Sequence, residues 1–102
     1  RGFHSFSAFK RAMGNAAEGN QWHHIVGQHA DNIRKFGAES IHNTNNLVEI
    51  PKELHYKING YYNSKPLELG GLTVRDWLKT QSFEAQYEYR LDIVQKALNG
   101  TL

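Results

Sequence analysis

Cysteine is absent from this chain, so neither a disulfide framework nor a thiolate zinc site is available. Any bound metal must draw on His, Asn, Asp, Glu or water, and the sequence is indifferent to redox compartment. Long apolar runs are also missing. Nothing approaches the ~20 residues of a membrane span, and the opening RGFHSFSAFK lacks the continuous apolar core of a signal peptide. A strong excess of one charge is lacking too: 12 Lys and Arg face 10 Asp and Glu, a formal charge of +2 spread evenly over both halves. A global basic footprint for nucleic acid is therefore weak. There are no internal repeats and no low-complexity segments.

What is present is ordinary globular material. Hydrophobic residues make up 39% of 102 positions and charged residues 22%, which excludes a disordered chain and predicts one domain with a modest core. A start at Arg rather than Met predicts a fragment of something longer. Phe6, Phe9 and Met13 recur at helical spacing behind Ser5, so residues 5–13 should form a short capped helix ended by Gly14. Trp22 to Val26 has strand character. Residues 27–45 are mostly polar and predict a long excursion with one helical turn. Residues 46–50 (NLVEI) predict a second strand, and Pro51 then suits the first turn of a helix running to Tyr62. In that helix Leu54, Ile58, Tyr61 and Tyr62 make one apolar stripe, leaving His55 and Asn59 as an i, i+4 pair on another face. Thr73 should cap VRDWLKTQ, and Ser82 should open a last helix with Phe83, Tyr87, Leu91, Val94 and Leu98 as its core stripe.

Chemistry gathers in QWHHI. Only six histidines occur, and His23 and His24 are adjacent. A neutral imidazole can ligate a divalent cation, and a second one nearby can take a proton from water near neutral pH, so the pair could divide those tasks. Consecutive side chains on a strand point to opposite faces, so one site can use both only where the strand bends or ends. The plain alternatives stand beside this. An adjacent His pair can be a bare surface feature, and Asn46 a turn residue. His55 can be a boundary histidine, Asn59 a helix-surface polar group, and His42 and Asn43 parts of an Asn-rich loop folding on its own backbone. Arg34, Lys35, Lys52 and Lys57 are by default solvated cations. Trp22 and Trp77 read as core aromatics, and His4 and His29 as exposed.

The order His-His, then Asn46, then His55 nine residues on resembles the HNH/endonuclease VII-type ββα-metal (His-Me finger) nucleases. The words NQWHHIVGQ, IHNTNNLVEIP, HYKINGYY and LTVRDWLKTQSFEAQYEY resemble WHH-type toxin nuclease domains over nearly the whole chain, from about Phe6 to Leu98. Such domains lie at the C-terminus of Rhs-type and contact-dependent inhibition toxins. The resemblance implies an α+β, mostly helical domain around a ββα-metal core, acting as a metal-dependent DNA endonuclease. It further implies His23 and His55 as metal ligands, with Asn59 as a weaker third, His24 as general base, and Asn46 holding the hairpin and the base in place. The divalent ion would be Mg²⁺, with Zn²⁺ or Ni²⁺ also suited to imidazole. Lys52 and Lys57 rank first for phosphate contacts, then Arg34 and Lys35. A monomeric toxin delivered by a secreting bacterium into a target-cell cytoplasm, and a small immunity protein against it, complete the expectation. One departure stands out: the usual W-H-H-I-V-E-Q has Glu where this chain has Gly27, which predicts impairment if that carboxylate matters. A non-catalytic or inactivated nucleic-acid-binding module, or an RNase toxin, are the competing readings.

Overall fold

The computed structural model describes all residues, Arg1–Leu102, as a mixture of helix and strand, an α+β chain with one two-stranded antiparallel sheet. In order these are α1 (Phe6–Met13), β1 (Asn20–His24), α2 (Ala30–Phe36), α3 (Ala38–Ile41), β2 (Leu47–Pro51), α4 (Lys52–Tyr62), α5 (Val74–Leu78) and α6 (Phe83–Leu98). No helix is long and apolar enough to cross a membrane. The chain divides into two compact units, Arg1–Lys52 and Glu53–Leu102.

In the first unit α1 forms as expected. The Ser5 hydroxyl accepts from the Ala8 N–H at 3.0 Å, and Gly14 closes the helix at φ 87°, a conformation that costs glycine little. Phe9 is buried and meets Phe3 edge-on at 5.6 Å and Trp22 at 5.0 Å between ring centroids. Met13, expected on the same stripe, is instead exposed. β1 pairs with β2 in antiparallel register, Trp22 opposite Glu49, His23 opposite Val48 and His24 opposite Leu47. β1 stops at His24, two residues earlier than expected, and the chain bends at Ile25 and Val26.

The segment 27–45 is more ordered than its polarity suggests. It holds α2 and α3, separated by Gly37 at φ 88°, and a 3-10 turn at Thr44–Asn46. Its inward residues include Asn32 and Ile41, so no apolar period advertises the helices. The N-terminal residues close over this segment. Phe3 N–H donates to the His42 carbonyl at 2.8 Å and Thr44 N–H to the Arg1 carbonyl at 2.9 Å. A Cβ on Gly2 would lie 2.6 Å from the Glu39 carbonyl oxygen, so this backbone approach needs glycine.

In the second unit α4 buries Ile58 and Tyr62, as its stripe predicts. α5 is capped by Thr73, whose hydroxyl accepts from Asp76 N–H at 3.0 Å, but it ends at Leu78 rather than running to Gln81. There the Thr80 hydroxyl turns back to the Trp77 carbonyl at 2.7 Å. α6 begins at its expected Ser82 cap, but the buried face is Gln86, Arg90, Ile93, Val94 and Ala97. The helix is thus rotated by one residue from the stripe at 83, 87, 91, 94 and 98, and Leu98 is exposed. Two polar residues explain the difference. Gln86 donates to the Gln81 carbonyl at 3.2 Å, and the Arg90 guanidinium lies 4.5 Å from the Tyr62 ring centre.

Candidate functional site

The pleat of β1 separates the two adjacent histidines. Trp22 and His24 share the face toward α1, where the His24 ring meets the edge of Phe6 at 4.8 Å between centroids, and His23 takes the opposite face. Both rings are buried, each 7% exposed. The strand ends at His24, which is the condition under which two neighbouring imidazoles can have unlike surroundings and still serve one region.

His24 meets a third histidine. Its Nε2 lies 3.2 Å from Nδ1 of His42, with the rings at 75° and both side chains buried. His42 also stacks on Phe6, at 6.4 Å and 12°. Burial lowers the His24 pKa from 6.5 to about 4, helped by repulsion from the charged forms of His42 and then His23. His42 is lowered as well, by burial first and His4 second. At neutral pH the two rings are uncharged, so one nitrogen of the contact donates and the other accepts.

Asn46 holds this arrangement. Its Oδ1 accepts from Val26 N–H at 2.8 Å, and its Nδ2 donates to the carbonyls of Val26 at 3.0 Å and Ile41 at 2.9 Å. Its own carbonyl accepts from Ile25 N–H at 2.8 Å, and its N–H donates to the Asn43 carbonyl. One buried carboxamide therefore ties the bend just past His24 to the residue just before His42. A plain turn Asn would leave its side chain in water, whereas this one is 1% exposed.

Asn43 behaves as the Asn-rich loop reading had it. Its Oδ1 accepts from Asn45 N–H at 3.0 Å and its Nδ2 donates to the Glu39 carbonyl, so it caps the 3-10 turn. His42 does not fit that reading, because its ring turns to His24. Gly27 lies half-buried, and its carbonyl accepts from the buried Asn32 Nδ2 at 3.0 Å. It is not among the glycines of positive φ, so its backbone dihedral does not by itself demand glycine.

His55 and Asn59 lie in the second unit, both half-buried, one turn apart on α4. His23 and His29 each bury Nε2, and His55 buries Nδ1. His29, expected to be exposed, is therefore partly enclosed. No group of three or more His, Asp or Glu side chains gathers to hold a metal ion. The ligand set implied by resemblance is two imidazoles and a carboxamide; the imidazoles suit Zn²⁺ and Ni²⁺, whereas Mg²⁺ would rely more on the carboxamide oxygen, phosphate and water.

Lys52 and Lys57 are exposed. Arg34 is ion-paired to Asp31 on the exposed face of α2, and the Lys35 ammonium rests 5.2 Å from the Phe36 ring centre. The sequence reading missed Lys10, whose ammonium lies 4.6 Å from the centre of the same Phe6 ring that packs on His24. It also missed Asn32. Lys10 follows Phe6 at i+4 on α1, a signal visible in the sequence once His24 is known to pack on Phe6. Nothing comparable marks Asn32. No protein-family model, no curated protein and no solved structure matches this chain.

Proposed function

We propose that this chain is a metal-dependent endonuclease that hydrolyses phosphodiester bonds of DNA, with His24 as the general base. The observation that carries the proposal is the Asn46 carboxamide, which fixes the backbone beside a buried, uncharged His24 at the end of a strand. In support of the reading, two antiparallel strands, with α2 and α3 between them in sequence, are followed by α4, which carries His55.

The electrostatics of His24 favour metal dependence. An imidazole whose pKa is near 4 is always available as a base at neutral pH, yet it is a weak one and cannot by itself deprotonate ordinary water efficiently. A bound divalent cation would polarise the phosphate and lower the pKa of the attacking water. His24 would take the proton, and the phosphate's negative charge beside it would favour the imidazolium that forms. His23, His55 and Asn59 are the proposed ligands, Lys10, Lys52 and Lys57 the phosphate cations. Gly27 leaves a carboxylate out of this set, so the activity of the chain as it stands should be reduced. We carry forward from the sequence resemblance the role of an antibacterial toxin, acting in a target-cell cytoplasm and restrained by a small immunity protein whose acidic surface would suit these cations.

Incubation of supercoiled plasmid with the purified chain and Mg²⁺ or Ni²⁺, with and without chelator, tests the reading. Nicking that requires metal and vanishes in His24→Ala is expected. A gel shift without nicking, in the parent and in Gly27→Glu alike, would make the chain a binder. Cleavage of RNA in place of plasmid would reassign the substrate.

A further inference from the structure

The His24–His42 contact has a direction, and the direction decides whether His24 can act as a base. Two neutral imidazoles sharing one hydrogen bond allow two states. In the first, His24 Nε2–H donates to His42 Nδ1, which leaves Nδ1 of His24 with its lone pair. In the second, His42 Nδ1–H donates to His24 Nε2, so His24 must carry its remaining proton on Nδ1 and has no basic nitrogen left.

The first state places both rings in the Nε2–H tautomer, which a histidine side chain intrinsically prefers, whereas the second requires the minor tautomer of both at once. We infer that His42 is a positioning residue. It accepts from His24 Nε2–H and so presents His24 Nδ1 as the base atom. This rests on the reading of His24 as the base.

Three further contacts hold the pair in register. Asn46 bonds the backbone on both sides, at Val26 and Ile41, so one carboxamide sets the separation of the two rings. Phe3 N–H holds the His42 carbonyl at 2.8 Å. Phe6 lies against both imidazoles, edge-on to His24 and stacked on His42. A histidine kept only for packing would have no need of this alignment, since a leucine fills such a place without an unsatisfied nitrogen.

Nitrogen-15 NMR of the histidine-labelled full chain near pH 7.5 reads the tautomers directly, and it does so whether or not the protein cuts DNA. His24 and His42 should each show a protonated Nε2 and an unprotonated Nδ1. A His24 protonated on Nδ1, or a mixture of the two forms, would overturn the inference. In His42→Asn the carboxamide oxygen falls near the place of Nδ1, so the His24 tautomer and most of the cleavage rate should survive. His42→Leu removes the acceptor and should lower kcat about 10- to 100-fold, the usual cost of losing the group that orients an active imidazole, with metal affinity unchanged. Parent-like cleavage by His42→Leu would contradict the inference. Should the parent chain and Gly27→Glu both fail to cut any nucleic acid, the nuclease reading falls, while the spectra still decide the direction of the bond.

Discussion

Asn46 has every polar atom of its side chain and backbone engaged inside the protein, which makes it the residue whose loss should be felt most widely. Asn46→Ala would leave Val26 N–H and the carbonyls of Val26 and Ile41 buried without their partners. With about 1–3 kcal/mol for each buried polar group left unsatisfied and partial relaxation of the bend, we expect a loss of about 3 kcal/mol in urea unfolding of the full chain. A loss below about 1 kcal/mol would show that water reaches these groups. His24 makes a second prediction at this scale. Its pKa falls from 6.5 in the unfolded chain to about 4 in the folded one, so between those values the unfolded chain binds the extra proton. The His24 contribution is fully present above pH 6.5 and is lost as pH falls toward 4. At about 1.4 kcal/mol per pH unit it is on the order of 3 kcal/mol. The urea midpoint should therefore drop across that window in the parent, and drop less in His24→Phe. Of these residue-scale features the sequence reveals the identities, through the His pair and the spacing from Asn46 to His55, but not the His24–His42 bond. That bond joins residues 18 positions apart, and no local period reports it.

At the scale of elements, what could be read from the sequence followed capping chemistry. Ser5, Thr73 and Ser82 each cap the helix expected of them, because a hydroxyl before an apolar-periodic run answers a local need for backbone partners. Where the outcome depends on polar groups finding partners inside, the pattern misleads. The polar segment 27–45 hides α2 and α3, since Asn32 rather than an apolar residue anchors α2. α6 is rotated because Gln86 finds a hydrogen-bond partner inside and the Arg90 guanidinium packs against the Tyr62 ring. This gives a clean test of its orientation. Ile93→Ala should cost about 2–4 kcal/mol, whereas Leu98→Ser, at an exposed position, should change stability by less than about 0.5 kcal/mol. Equal costs at the two positions would restore the stripe predicted from the sequence. The cap on α1 offers a smaller check: Ser5→Ala should lower stability by about 1 kcal/mol.

For the whole molecule, the periodicities along the sequence support an α+β chain and place both strands and four of the six helices within a few residues. The division into units at Lys52 and Glu53 was not legible, because it falls at the start of α4, with no Gly- or Pro-rich linker to mark it. The proposed chemistry makes different demands on the two adjacent histidines, and the strand gives them different surroundings, His24 toward Phe6 and His42, His23 on the other face. The most direct measurement is therefore a paired one on the full chain carrying Gly27→Glu: metal affinity by calorimetry and plasmid cleavage with Mg²⁺ and Ni²⁺, for that protein and for His23→Ala and His24→Ala made in it. We expect His23→Ala to lose metal affinity and cleavage together, and His24→Ala to retain the metal while cleavage falls by about 10²- to 10⁴-fold, the contribution of a positioned base. Metal binding and cleavage unchanged in both variants would contradict the account.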